Sequence, residues 1–186
     1  MKNLLACLAL GALVLVGAPA SADLFSVELD GQGTYTRIGN VEGMLGNQRV
    51  TTDVSGFGVG GRAMLEILII RAVFDYQHIF PGADLIHCGL GVGTTFDSIP
   101  IVNPYISATL GLIALDAQAR MFPGLSGEDS AVDNALGFQG RAGGGLDFPF
   151  LDGWLAFGLG ADVGVHYLTG KWGYDFSANV HFGLRI

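Results

Sequence analysis

The residues of this chain best suited to chemistry are ionisable side chains that recur at every second position of several segments. Near the N-terminus, Glu28 and Asp30 alternate with Val27 and Leu29. Alternate side chains of a strand share one face, and buried charges persist only when they are paired. Asp147 has the same inward phase. The sequence therefore predicts an interior charge network with a structural role, formed by Glu28, Asp30, Arg62, Glu66, Arg71, Asp75, His87, Arg141, Asp162, His166, Asp175, His181 and Arg185.

A second set of residues has the composition of an acyl-transfer site. That chemistry needs a hydroxyl nucleophile, a histidine base and an orienting carboxylate. His78 is the histidine near one rim of the predicted strands, and Ser126, Ser130 and Glu128 come from a different loop. A chance surface histidine explains His78 more simply, so we expect no catalytic site.

Two further patterns resemble ligand sites. Gly56 to Gly61 matches G-x-G-x-x-G, but it lies within an alternating strand and no helix follows to hold a pyrophosphate. Glu128, Asp129 and Asp133 offer oxygen ligands for a divalent cation, although a solvated acidic loop is the simpler interpretation. The sequence therefore predicts no cofactor and no metal site.

The elements that must position these residues are strands with one apolar and one polar face. In the last segment Tyr174, Phe176 and Ala178 alternate with Asp175 and Ser177. Eight such segments predict an all-β, antiparallel, up-and-down barrel in one domain, residues 23–186. The predicted strands are 24–37, 54–66, 70–79, 85–96, 104–116, 135–148, 153–167 and 173–186.

The predicted connections differ in length from one end of the barrel to the other. Long polar loops are expected at 38–53 and 117–134, and short turns at 97–103 and 149–152. Segments 80–84 and 168–172 then fall at the same end as the long loops, by count.

Two hairpin registers follow from pairing the inward charges. The turn at 67–70 sets Glu66 against Arg71, and the same register brings Arg62 against Asp75. In the last hairpin, Tyr167 opposite Tyr174 places His166 opposite Asp175.

The N-terminal segment 1–22 has the pattern of a secretory signal peptide. Lys2 precedes an apolar stretch from Leu4 to Val16, and Ala20-Ser21-Ala22 forms an A-x-A cleavage site. Removal of these 22 residues from 186 leaves 164, with Cys88 as the one cysteine, so no intrachain disulfide is possible. Loss of Lys2 takes the formal charge from −8 to −9, which argues against nucleic acid as a partner.

Aromatic residues cluster near both ends of the predicted strands, as at the two interfaces of a membrane. The upper group comprises Tyr35, Tyr76, Tyr167, Trp172 and Tyr174, and the lower group Phe25, Phe96, Phe148, Phe150 and Trp154. A mean hydropathy of +0.47 spread over alternate positions also favours lipid contact around a sheet.

In pattern and strand count the chain resembles the small eight-stranded outer-membrane barrels, the group that includes the outer membrane protein A transmembrane domain, its X-type relatives and the opacity-like proteins. The resemblance implies export by the general secretory route, integration in the bacterial outer membrane as a monomer, and contact with its lipid and lipopolysaccharide. The segment from Tyr174 to Ile186 is similar to the C-terminal strand that the barrel-insertion machinery recognises. That strand usually ends in an aromatic residue, whereas here Ile186 is last and Phe182 is the nearest substitute.

The interior decides between the functions open to such a protein. Eight strands enclose a lumen that side chains can fill, so we expect a non-enzymatic protein with a role in envelope integrity or in surface interaction through loops 38–53 and 117–134. Three alternatives stay open: a narrow channel for small solutes, an enzyme acting on lipid A acyl chains, and a soluble periplasmic lipocalin-like barrel with its faces reversed.

Overall fold

The computed structural model describes residues 25–45, 48–96, 101–122, 130–151 and 153–186, so the signal segment 1–22 lies outside the described residues. Each strand pairs antiparallel with its sequence neighbours, and the first also pairs with the last, which closes the barrel. This confirms the predicted eight-stranded up-and-down barrel. The strands are β1 (Phe25–Leu45), β2 (Gln48–Ile67), β3 (Ile70–Ile79), β4 (Ala83–Thr95), β5 (Asn103–Gln118), β6 (Ser130–Phe150), β7 (Leu155–Leu168) and β8 (Lys171–Arg185).

The two ends of the barrel differ. Both Phe25 and Ile186 lie at one end, here called the terminal end, together with the turn Leu68–Ile69. The opposite end, called the loop end, carries the β1–β2, β3–β4, β5–β6 and β7–β8 connections. No helix among the described residues is long and apolar enough to cross a membrane.

Over most of the barrel, the apolar face of each strand points away from the barrel axis. Val163 is 58% exposed on the outer wall, whereas Asp75 on the inner wall is 1% exposed. This orientation is the reverse of a lipocalin, which rules out the soluble ligand-binding alternative because a lipocalin needs its apolar side chains inside. The exposed apolar side chains of the outer wall include Leu90, Val92, Leu110, Leu159, Val163 and Val180.

Aromatic side chains ring the outer wall at two levels. Toward the loop end, Tyr35 packs edge-on against Phe57 with ring centroids 5.2 Å apart, and Tyr167 lies 5.4 Å from Trp172. Toward the terminal end, Phe150 packs against Phe182. The wall between these levels is the apolar band that a transmembrane barrel presents to lipid.

The β2–β3 hairpin has the predicted register. Glu66 pairs with Arg71 and Arg62 with Asp75 across a two-residue turn. The β7–β8 hairpin does not: Tyr167 lies opposite Trp172, and Gly164, not His166, lies opposite Asp175. The predicted register is wrong because the connection at 168–172 is shortened to the turn Thr169–Gly170, whose residues have φ of 53° and 82°. Two consecutive positive φ values are typical of a tight two-residue hairpin.

The predicted loop 38–53 is also wrong, because most of it is paired strand. The ladder continues past a bulge between Ile38 and Val41, with Thr52 opposite Val41 and Leu45 opposite Gln48. Asn40 has a positive φ of 59° at the bulge. Polar residues gave the segment the composition of a loop, but Ile38 and Val41 are fully buried, and that packing favours a strand.

The predicted loop 117–134 is shorter in the structure. β5 continues to Gln118, a single 3₁₀ turn follows at Ala119–Met121, and β6 begins at Ser130. Residues 123–129 lie outside the described residues.

Candidate functional site

The interior of the barrel is the candidate site, and its charged side chains are arranged in tiers along the axis. At the terminal end Arg185 links two carboxylates: its Nη2 lies 2.9 Å from Glu28 Oε2 and 2.8 Å from Asp147 Oδ2. The other oxygen of Asp147 lies 2.9 Å from His181 Nε2. Barrel closure creates this tier, because Glu28 pairs with Arg185 across the β1–β8 seam.

The middle tier is organised around Asp75. Its carboxylate accepts hydrogen bonds from Gln32 Nε2 at 2.5 Å and Gln77 Nε2 at 3.2 Å, and it lies 3.1 Å from Arg141 Nη1. Arg62 Nη2 lies 3.8 Å from the same carboxylate and 3.7 Å from Asp162. Asp75 therefore receives two guanidinium groups and two amides, which satisfies a fully buried charge.

A separate pair lies toward the terminal end, near the Leu68–Ile69 turn. Arg71 Nε lies 2.8 Å from Glu66 Oε2, and Arg71 Nη2 donates to Thr95 Oγ1 at 3.1 Å. The guanidinium lies where a Cβ on Gly93 would be, so glycine at that position leaves room for the arginine.

The upper tier contains two of the predicted histidines. His166 Nδ1 lies 3.5 Å from Asp175 Oδ2, although the two residues are not directly opposite; the ring reaches its diagonal neighbour. Arg141 also approaches Asp175, with Nε 3.8 Å from Oδ1. His87 is 1% exposed, and neither ring nitrogen has a hydrogen-bond partner among the described residues.

Thus the structure places every predicted network residue on the inner wall, and it gives most of them a direct charged partner. Asp147, also inward by phase, belongs to the network. A cavity of about 40 Å³ lies within it, bordered by Arg62, His87 and Tyr105. That volume has room for a few water molecules.

The loop end of the lumen is closed by a feature that the alternation did not reveal. There the inward positions change from polar to apolar, and the core cluster of the barrel forms from fully or almost fully buried side chains. We call this group the apolar cap: Ile38, Val41, Val54, Ile79, Leu85, Ile113, Leu115, Phe122 and Leu168. A Cβ on Gly43 of β1 would meet the ring of Phe122, so this ring extends from the β5–β6 connection across the mouth to β1.

On the loop-end side of the upper level of aromatic side chains, the extended strands carry ion pairs that reach the surface. Arg37 Nη2 lies 2.6 Å from Asp53 Oδ2, which also accepts a hydrogen bond from the Tyr174 hydroxyl at 3.0 Å. Lys171 Nζ lies 2.7 Å from Glu42. The Arg37 hydrogen bond lowers the pKa of Asp53, and the Lys171 hydrogen bond lowers the pKa of Glu42.

We predict that each of these two cations affects the pKa of its own carboxylate partner only. Arg37→Gln should raise the pKa of Asp53 and leave Glu42 unchanged, whereas Lys171→Gln should raise the pKa of Glu42 alone. Because both carboxyl pKa values are lowered in the folded barrel, their stabilising effect is complete above the unfolded pKa values and is lost as the pH falls through the folded ones. Carboxyl titration by NMR in micelles measures both values. A Glu42 pKa that moves in Arg37→Gln would contradict independent pairing.

The residues proposed for acyl chemistry do not assemble among the described residues. His78 Nδ1 lies 2.8 Å from Asp84 Oδ1, which also accepts the Tyr76 hydroxyl. Ser126, Glu128 and Asp129 lie outside the described residues, whereas Asp133 is exposed and hydrogen-bonded to Asn134. The Gly56–Gly61 motif lies inside β2, as its alternation predicted.

The closed barrel, the outer apolar band and the polar lumen together define a small transmembrane β-barrel. The same fold is found in a solved structure: the crystal structure of Neisserial surface protein A aligns with 90% of this chain and 99% of its own, at 16% identity and a TM-score of 0.56. The N-terminal barrel domain of Pseudomonas aeruginosa OprF aligns with 86% and 97% of the two chains, at 16% identity and a TM-score of 0.46. For the attachment invasion locus protein Ail of Yersinia pestis the shares are 88% and 100%, at 11% identity and a TM-score of 0.47.

In sequence, neither a protein-family model nor a curated protein matches the chain. The likeness to Neisserial surface protein A shows that this chain has the fold of the small eight-stranded outer-membrane barrels.

Proposed function

We propose that this protein is a closed, non-enzymatic outer-membrane barrel that contributes to envelope integrity or surface interaction. The observation that carries the proposal is the double closure of the lumen. Ion pairs around Asp75 cross its middle, and the apolar cap seals its loop end. A barrel filled in this way offers no continuous aqueous path, so its role is at its surfaces.

The loop end is the surface available to a partner. In our proposal it faces the outside of the cell and the terminal end faces the periplasm. Here β1 and β2 continue beyond the aromatic ring as a paired hairpin, and the Arg37–Asp53 and Lys171–Glu42 pairs link this hairpin internally or to β8. The hairpin is a more defined surface than a free loop would be. Neisserial surface protein A, a surface protein by its name, is consistent with a surface role for this fold.

The proposed contacts with the envelope follow from the same geometry. Lipid covers the apolar band, lipopolysaccharide surrounds the loop end, and the insertion machinery recognises β8. We propose that the barrel acts as a monomer: because β1 and β8 are paired with each other, its sheet has no free edge to which a second copy could add a strand.

Planar-bilayer recording tests the filled lumen against the narrow-channel alternative. We expect the refolded, monodisperse protein to give no discrete conductance steps, because the ion pairs and the apolar cap exclude a continuous column of water and ions. Protein-free detergent is the blank, and a heat-denatured sample controls for leakage caused by unfolded chains. Reproducible steps whose size increases with salt concentration would overturn the proposal in favour of a channel.

A further inference from the structure

We propose that Glu28, Asp30 and His181 bind a divalent transition-metal cation, with zinc the best match, inside the terminal end of the lumen. One ligand atom from each of the three side chains lies within 4.8 Å of the others. The residues are 7%, 8% and 3% exposed, so the site is enclosed by the barrel wall. Sequence alternation alone predicts no metal here, because β1 and β8 come together only when the barrel closes.

Asp30 is the residue whose surroundings call for a cation. Among the inward carboxylates of the described strands, it alone has no ion-pair partner within 4.0 Å. Its Oδ1 atom is buried and has no hydrogen-bond partner among the described residues. Glu28, two residues away on the same strand face, adds a second carboxylate beside it. Two adjacent buried carboxylates repel each other, and a metal ion held between them removes that cost.

His181 is already oriented as a metal ligand. Its Nε2 lies 2.9 Å from Asp147 Oδ1, which is the carboxylate–histidine arrangement that orients ligating imidazoles. That contact makes Nδ1 the nitrogen that would coordinate. Nδ1 now hydrogen-bonds Asn179 Oδ1 at 3.0 Å, so a metal ion at Nδ1 would replace its proton, and the amide must move back to remain as a fourth ligand. One imidazole nitrogen with carboxylate oxygens is a donor set that zinc accepts in proteins.

The neighbouring arginine leaves part of Glu28 available. Both hydrogen bonds from Arg185 go to Glu28 Oε2, so Oε1 can turn to a metal. The small interior cavity borders Glu28 and His181. Because the apolar cap closes the loop end, the cation would enter from the terminal end, where the Arg185 side chain is 22% exposed.

The test is zinc binding by the full-length barrel refolded in micelles after chelation, with a chromophoric zinc indicator as competitor. We expect one zinc per chain, and a loss in affinity of about tenfold or more in Asp30→Asn and in Asp147→Asn, the latter through the second coordination shell. Cobalt as a spectroscopic probe should show visible bands of a low-coordinate site in the wild type, and these should be absent in Asp30→Asn.

Two controls test whether zinc binds inside the lumen and not at the barrel surface. His78→Asn removes the partly exposed histidine beside Asp84 and should leave zinc affinity unchanged, and heat-modifiable gel migration should confirm that each variant is folded. Zinc binding that is lost in His78→Asn but kept in Asp30→Asn would overturn the proposal, as would a wild-type barrel that binds no zinc.

Discussion

Asp75→Ala is expected to lower the free energy of unfolding by about 3–5 kcal/mol, because it removes one partner of a buried charge cluster. Arg141 at 3.1 Å and Arg62 at 3.8 Å would then be left in the lumen without their shared carboxylate. Gln32 and Gln77 would also lose their acceptor. The measurement is urea-driven unfolding from liposomes, followed by tryptophan fluorescence and gel migration.

Asp133→Ala is the matched control, because the same side chain is removed from an exposed position. Its effect should be about 0.5 kcal/mol or less. A double-mutant cycle adds detail: Asp75 should couple more strongly to Arg141 than to Arg62, since the first pair is closer. Additive losses for both pairs would mean that the charges do not interact, and the charge-paired interior would lose its main support.

Val163→Arg is the second variant with a large expected effect, about 2–4 kcal/mol of destabilisation for a charge near the bilayer midplane. Val163 lies on β7 between the aromatic side chains Phe157 and Tyr167 and points outward. Folding into liposomes at increasing urea concentration measures the loss.

Leu136→Arg provides the control for depth. Leu136 also points outward, but on β6 it lies two residues closer to the loop end than Phe138. It is therefore outside the apolar band between the two aromatic levels. Its arginine should cost only about 0–1 kcal/mol, since it reaches the membrane interface. Equal losses in the two variants would mean that the apolar band is misplaced along β6 or β7.

The fold and the assignment of faces could be predicted from the sequence. Alternation of apolar and polar residues at every second position indicates a strand, and its phase shows which face is apolar. The β2–β3 register was also accessible, since Glu66 and Arg71 flank a turn of only two residues. The β7–β8 register was not, because Thr169 and Gly170 were included in a longer connection. A hairpin register depends on loop length, and an error of two residues keeps every side chain on its face, so alternation gives no warning of it.

The apolar cap and the long β1–β2 hairpin were missed for a different reason. Residues such as Asn40, Glu42 and Asp53 gave the segment a loop-like composition, and the bulge interrupts the alternation at Ile38. The buried side chains of this segment pack against residues far away in sequence, including Phe122, and such contacts cannot be read from the segment itself. The same limit applies to the proposed metal site, where the partner of Glu28 and Asp30 comes from β8.

The seam between the first and last strands has a consequence for how the chain folds. Backbone hydrogen bonds join Val27 to Ile186 in both directions, at 2.7 Å and 2.8 Å, and the Glu28–Arg185 pair spans 157 residues. Contacts of such sequence separation form slowly, because the loop must close before any of them stabilises the chain. Until that seam forms, β1 and β8 are two unpaired edges able to bind other chains. Each copy is therefore most prone to associate with its neighbours before its first and last strands have paired.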